Sequence, residues 1–339
     1  MEGIWIFIAA VISFIIASLS GIKLIPLLHK LKYGQTILEI GPSWHKDKQG
    51  TPTMGGIMFI ISSIVSALIC IPLYYIFSTG PSEITVAPIL VNTKIIAGVV
   101  MALCYGVIGF FDDYIKVVKR RNMGLSAKQK LILQFLVAAA YLATLYISGS
   151  TSKTIIPFIG YVDLGIFYWI IAAIVIVGFV NATNLTDGID GLNGSVTFFA
   201  AAFLMMIASY IGIEGISILS ATLAGGCLGY LVWNFHPAKV FMGDTGSLFI
   251  GGFLCALAFG LDIPIILIPI GIVYIIEMFS VILQVSYFKI TKGKRLFKMS
   301  PIHHHFEMCG WNEIKICIVA SMVTVVMGVG SLFMVLFGV

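Results

Sequence analysis

Residues 93–121 read TKIIAGVVMALCYGVIGFFDDYIKVVKRR. From Thr93 to Phe111 the stretch is apolar apart from Lys94 at its start, then come Asp112 and Asp113, and then Lys116, Lys119, Arg120 and Arg121. An apolar run of about 20 residues spans the roughly 30 Å of bilayer hydrocarbon as a helix, the one unclosed structure that satisfies its own backbone there. The stretch therefore predicts a membrane helix with a basic flank. It also raises a question: why do two adjacent carboxylates stand where the oil ends?

Composition extends the reading to the whole chain. Of 339 residues 59% are hydrophobic and 10% charged, against about 25% charged in soluble domains. Ten mostly apolar runs are long enough to cross, at about 4–28, 55–78, 93–111, 130–149, 165–183, 194–212, 216–233, 247–261, 265–288 and 315–338. The expected fold class is an all-α integral membrane protein of ten transmembrane helices, with 1–339 forming one membrane domain. The start MEGIWIF lacks the basic region of a signal peptide and reads as a retained first helix. Six cysteines lie mostly inside apolar runs without paired spacing, which indicates neither a disulfide framework nor a zinc knuckle.

Ten spans make the loops alternate sides, and Lys and Arg choose between the sides. One side receives Lys30, Lys32, Lys46, Lys48, Lys116, Lys119, Arg120, Arg121, Lys128, Lys239, Lys289, Lys292, Lys294, Arg295 and Lys298. The other holds Lys153, with Lys94 at a helix end. The first side is expected to be cytoplasmic, with both termini outside, and the net charge of +5 then reflects topology and needs no nucleic acid. All six histidines and every Asp-containing cluster fall on that side.

Each cluster admits two readings. Asp112 and Asp113 are either a solvated helix end neutralised by Lys116 and Lys119, or part of a divalent-metal or phosphate-handling site; a helix C-terminus disfavours them and each raises the other's pKa. NATNLTDGIDGLNG, 181–194, concentrates Asn181, Asn184, Asp187, Asp190 and Asn193 in a turn between spans. Glycosylation conflicts with the cytoplasmic side, and an EF-hand with Phe198 at the twelfth position from Asp187. FHPAKVFMGDTGSLFIGG, 235–252, sets Asp244 before the eighth span, as a helix cap or as an oxygen ligand for Mg2+, which takes one or two carboxylates plus substrate phosphate. PIHHHFE carries His303, His304 and His305 in the last cytoplasmic loop, and GPSWHKDKQGTPTMGG offers Lys48, Thr51 and Thr53 without Walker A spacing. Glu277 and Gln284 share one face of the ninth span, as a functional site or a structural pair. On one membrane face these clusters form an inventory for Mg2+-assisted phosphoryl chemistry, whereas a transporter would hold its charges near the midplane.

GTPTMGG, FFDDYIKV, NATNLTDGIDGL, VFMGDTGSL and PIHHHFE, in this order between ten spans, resemble the polyprenyl-phosphate N-acetylhexosamine-1-phosphate transferase superfamily, and within it the phospho-N-acetylmuramoyl-pentapeptide branch. The likeness runs from about residue 20 to the end. It implies transfer of phospho-N-acetylmuramoyl-pentapeptide from its UDP carrier to undecaprenyl phosphate, giving lipid I and UMP with Mg2+, in the bacterial cytoplasmic membrane, by a protein that forms a homodimer. By motif, the resemblance makes Asp244 the metal ligand and sets Asp112 and Asp113 beside the phosphates, Asp112 as base or nucleophile. It gives Asn184 and Asp190 to uridine and ribose, and Asn181, Asp187 and Lys130 to the phosphates. His303, which the resemblance counts as catalytic together with Asp112, Asp113, Lys130 and Asp244, would with His304, His305, Lys48 and Thr53 help to hold the sugar nucleotide. A sister enzyme using UDP-N-acetylglucosamine is the near alternative, and a transporter of an anionic solute the distant one.

Overall fold

The computed structural model describes residues 2–31, 48–78, 87–118 and 124–339. Lys119, Arg120, Arg121, Lys32, Lys46 and His45, which figured in the charge reading and the first loop, lie outside the described residues. The elements are α1 (Glu2–Lys30), α2 (Ile57–Ser78), α3 (Ala87–Val118), α4 (Ala127–Ile147), β1 (Lys153–Ile156), β2 (Gly160–Asp163), α5 (Ile166–Thr186), α6 (Leu192–Ile211), α7 (Glu214–Asn234), α8 (Gly243–Gly260), α9 (Leu267–Ile270), α10 (Ile272–Ile290), α11 (Ile302–Met308) and α12 (Glu313–Gly338). Ten of these helices are long and apolar enough to cross a membrane.

Three details correct the sequence reading. The chain is not all-α: Lys153–Ile156 pairs antiparallel with Gly160–Asp163, Lys153 opposite Asp163 and Ile156 opposite Gly160. Strands of four residues are too short to leave a periodic signal. The ninth span does not run unbroken from 265, because a single 3-10 turn at Pro264–Ile266, the short α9 and Gly271 precede α10. Pro264 and Pro269 remove backbone donors, so the ladder restarts at Ile272. Third, α3 does not stop at Phe111; its 32 residues extend about 48 Å at 1.5 Å per residue, half as long again as the hydrocarbon. Asp112 and Asp113 therefore sit inside α3, before its last turn.

The helices α7 and α8 are the most enclosed, while α1, α4, α10 and α12 expose most of their apolar surface. Lipid offers no hydrophobic gain for helix association, so close approach of small residues and buried polar contacts must supply it. Between α1, α2 and α7, Ser13 Oγ and Ser63 Oγ both donate to the Thr222 carbonyl (2.7 and 3.1 Å), and Ser66 Oγ donates to that of Ala9 (2.7 Å). Between α3 and α8 the contact is closer still: a Cβ on Gly109 would land on the carbonyl of Asp244. At the far end of these two helices Lys94 Nζ pairs with Asp262 (2.6 Å), whose carbonyl accepts from Ile155 of the hairpin (3.2 Å).

At the other end the polar loops converge. Backbone bonds from Gly55 to Phe241, from Gly56 to Met242 and from Phe241 to Pro52 (2.8, 3.0 and 2.8 Å) splice the first loop to the segment before α8. Ser126 opens α4 with a capping box completed by Gln129, which sets Lys130 on the first turn facing the same region. Gly109→Ala should therefore force α3 and α8 apart, at about 1–3 kcal/mol for an overpacked interior. A drop in the thermal unfolding midpoint of detergent-solubilised protein, with loss of activity, checks this; an unchanged midpoint would contradict the close-approach account.

Candidate active site

The eighth membrane helix begins inside the protein. The first N–H groups of a helix have no partner of their own, and where water is scarce each needs an acceptor. Met242 at the cap position offers no side-chain bond. Asp113, from α3, does this work: its Oδ1 accepts from the Asp244 N–H (3.2 Å), and its Oδ2 accepts from the Thr245 N–H (2.9 Å) and Thr245 Oγ1 (2.7 Å). Both oxygens of Asp113 are committed to the start of α8, where the helix dipole favours a negative charge.

Asp112 faces otherwise. Its Oδ1 accepts from the Leu125 N–H (2.8 Å), and its Oδ2 meets Lys116 Nζ at 2.6 Å. The same ammonium lies 3.0 Å from Asp244 Oδ2, which also binds Lys130 Nζ at 2.8 Å. Asp244 Oδ1 accepts from Asn184 Nδ2, which also donates to Ser247 Oγ (2.8 Å each). Asp112 and Asp113 are each only 3% exposed, so of the two readings the solvated helix end falls. Two lysines, the N-terminus of α8 and backbone donors do what water was expected to do.

Three carboxylates and two ammonium groups leave a formal charge of −1, counted over Asp112, Asp113, Asp244, Lys116 and Lys130. The three carboxylates present oxygens that all lie within 4.8 Å of one another. With Asp113 occupied by α8, the oxygens that converge are Asp112 Oδ2 and Asp244 Oδ2, both held on Lys116. One or two carboxylates beside phosphate binders is the donor set that Mg2+ takes, so the residues present fit that ion.

Asp187, at the end of α5, is half-buried and close to these groups. Withdrawal from water, then the carboxylates of Asp244 and Asp113, push its carboxyl up to about 8 against the bond from the Gly243 N–H. Asn181, nearly two turns earlier, donates to Gln134 Oε1 and to the Val177 carbonyl (2.8 Å each). Thr53 is buried and lies beside Gly243, whose Cβ would meet its Oγ1.

A second cluster adjoins the first. Lys48 Nζ binds Asp190 Oδ1 (2.7 Å) and Glu313 (2.6 Å), and Asp190 Oδ2 lies 3.0 Å from both His236 Nδ1 and the Ala238 N–H. Glu313 Oε2 also accepts from the Asp190 N–H (2.8 Å). The histidines separate: His303 is fully buried against Glu277 (3.0 Å), His304 pairs with Glu307 (2.6 Å), and His305 Nδ1 accepts from the Lys298 N–H (3.1 Å). Gln284 Oε1 accepts from the Leu296 and Phe297 N–H groups (3.1 and 2.8 Å), a structural clip on the loop after α10. The fold thus brings Asp112, Asp113, Lys130, Asn184 and Asp244 into one constellation and Lys48 with Asp190 into its neighbour.

Sequence reasoning missed Gln134, His236, Thr245, Glu307 and Glu313. The pattern Asn-Glu opening the last span could have flagged Glu313; the others are single polar residues without a local pattern.

Ten membrane-crossing helices around a buried carboxylate and lysine site define a polytopic membrane enzyme, and comparison with known proteins says of which kind. The family model described as glycosyl transferase family 4 matches residues 95–262, and the signature described as phospho-N-acetylmuramoyl-pentapeptide-transferase signature 1 matches residues 48–60. Proteins named phospho-N-acetylmuramoyl-pentapeptide-transferase are similar along nearly the whole chain. The one from Clostridium perfringens strain SM101 is 44% identical over 95% of this chain and 94% of its own length. The one from Caldanaerobacter subterraneus subsp. tengcongensis is 45% identical over 95% and 96%, and that from Halalkalibacterium halodurans 44% over 91% and 90%. The chain belongs to the phospho-N-acetylmuramoyl-pentapeptide-transferase family.

Two outcomes follow from this geometry. Asp113→Ala strands donors at the start of α8, so it should lower the unfolding midpoint as well as activity, by about 1–3 kcal/mol for an unsatisfied buried donor; an unaffected midpoint would contradict its capping role. For Asp187, the unfolded chain ionises near 4 and the folded one near 8, so folding takes up a proton between these values. The stability it contributes is complete below about 4 and is lost as pH rises to about 8. Thermal melts in Mg2+-free detergent buffer should show this decline, and Asp187→Asn should flatten it.

Proposed function

We propose that this protein transfers phospho-N-acetylmuramoyl-pentapeptide from its UDP carrier to undecaprenyl phosphate, forming lipid I and UMP for peptidoglycan synthesis. Family membership supports the reaction. The observation that carries the reading to this chain's own residues is the convergence of Asp112 and Asp244 on Lys116, with Lys130 beside them. Both substrates are anions that must meet at a pyrophosphate, and a site near neutrality with carboxylate oxygens for a divalent cation and lysines for phosphate oxygens suits them.

The proposal includes Mg2+ held by Asp244, with Asp112 as its neighbour; the ion when bound offsets the phosphate charge and polarises the scissile bond. Lys116 and Lys130 orient the phosphate oxygens. Asn184 fixes the rotamer of Asp244, and Asp113 fixes its backbone. An oxygen of the lipid phosphate attacks the sugar-bearing phosphorus, and the bond from that phosphorus to the uridylate oxygen breaks, releasing UMP. One pyrophosphate replaces another. Asp112 takes any proton carried by the lipid phosphate, which is already nucleophilic, so direct displacement is preferred to a phosphorylated carboxylate.

The proposal also covers placement. The basic loops and the site share one end of the helix bundle, which the positive-inside rule assigns to the cytoplasm, with both termini outside, in the bacterial cytoplasmic membrane and as a homodimer. Lys48, Thr53, Asn181, Asp187, Asp190, His303, His304 and His305 surround the sugar nucleotide.

Release of UMP from UDP-N-acetylmuramoyl-pentapeptide, with undecaprenyl phosphate and Mg2+, tests the reading; release from UDP-N-acetylglucosamine alone would assign the sister reaction, and from neither would refute both. Asp244→Ala should abolish turnover while the protein still inserts. UMP release or labelled protein without the lipid would overturn direct displacement.

A further inference from the structure

Glu277 lies on α10, within a membrane span, at 3% exposure. A carboxylate there is costly unless it is held by donors. Its donors come from the last polar loop: Oε2 stands 3.0 Å from His303 Nδ1 and 3.4 Å from the His303 N–H. A carboxylate accepts and does not donate, so the proton of the ring sits on Nδ1. His303 has no exposed surface, and its Nε2 is buried without a hydrogen-bond partner among the described residues. That nitrogen lies against Gly188, where any Cβ would collide with it. Gly188 follows Asp187 and leads through the turn to Asp190, whose N–H and carboxylate are held by Glu313, Lys48 and His236. A continuous line of contacts thus runs from Glu277 through the His303 ring to the backbone of the Asp187–Asp190 turn.

We infer that Glu277 is a positioning residue for the sugar-nucleotide site: it fixes the ring orientation and tautomer of His303, and through the ring sets the height of the Asp187–Asp190 turn. The unprotonated Nε2 stays enclosed against Gly188, so the ring acts on the nucleotide site through the turn and not by touching the nucleotide. Any larger residue at position 188 would remove this seat, and a residue at 277 without an acceptor would free the ring to turn over. The inference rests on the proposed function for its substrate and on the geometry alone for its tautomer.

The test uses the full-length protein in detergent or nanodiscs. Glu277→Ala should raise the KM for the UDP-sugar about tenfold, the low end of the loss on removing a residue that orients another, and leave the KM for undecaprenyl phosphate unchanged. Added to His303→Ala it should change the UDP-sugar KM by less than about twofold, because both variants break one line of contact. Independent, multiplying effects, or equal changes in both KM values, would overturn the proposal. If Glu277→Ala does not fold, Glu277→Gln, which keeps the shape, should show a smaller rise with the same non-additivity. Nitrogen-15 spectra of histidine-labelled protein, with His303 assigned by its loss in His303→Ala, give a readout without turnover. The wild type should show a proton on Nδ1 and a bare Nε2, and the Glu277 variant a mixture; identical spectra would overturn the inference even if the assigned reaction holds. Absence of UMP release by the wild type, with the expected spectra, would refute the reaction and leave the Glu277–His303 arrangement standing.

Discussion

Asp113 and the first turn of α8 form the contact on which the site depends. A helix that starts within a membrane protein brings unpaired N–H groups into a place where each is worth several kcal/mol if left without an acceptor. The carboxylate of α3 supplies that acceptor, at 2.9 and 3.2 Å from two successive N–H groups. It can do so because Gly109, one turn earlier on α3, has no side chain to hold the helices apart. Asp244, the second residue of α8, is thereby placed with its carboxylate between Asn184 and two lysines. The two adjacent carboxylates of FFDDY consequently have different duties: one supports a helix, and the other meets Lys116 and, in the proposed reaction, faces the reacting groups.

Electrostatics explains why so many charges persist in an oily protein. Two unit charges 4 Å apart interact by roughly 4 kcal/mol at an effective dielectric of 20, so three carboxylates could not share this space alone. Lys116 joins Asp112 and Asp244, Lys130 joins Asp244, and α8 holds Asp113. Among the described residues Asp187 joins no ion pair, and its carboxyl is pushed up to about 8, so it holds its proton to higher pH than an exposed carboxyl does. The adjoining group of Lys48, Asp190, His236 and Glu313 follows the same rule, each carboxylate meeting a cation or a backbone N–H. Both clusters draw together segments far apart in the chain, Lys116 with Asp244 across 128 residues and Lys48 with Asp190 across 142, stitched by the backbone bonds between residues 52–56 and 241–242.

Much of this was legible in the residues. Hydrophobic runs revealed the spans because a bilayer imposes one length on every crossing helix, and the motifs FFDDY, NATNLTDGIDG and VFMGD stood out because polar density is rare in such a chain. The hairpin at Lys153–Asp163 was not legible, since four-residue strands are set by pairing and by the neighbouring Asp262 carbonyl. The break before α10 was signalled by Pro264 and Pro269 yet hidden by the apolar run around them. Glu277 was visible as a buried charge, but its partner His303, 26 residues away, was not.

The sequence by itself determined that the chain carries ten helices long and apolar enough to cross a membrane and that most of its charged residues and all its histidines fall between them or at their ends, because hydrocarbon length and the expense of buried charge act on local stretches. Only the tertiary structure decided which oxygen faces which donor. Asp113 turns to α8, Asp112 to Lys116, Asn181 to Gln134 and Asn184 to Asp244, although each pair is adjacent or nearly so in the chain. Neighbours along a helix point about 100° apart, so what each one meets depends on which helix stands opposite, and that is settled by packing across the whole fold.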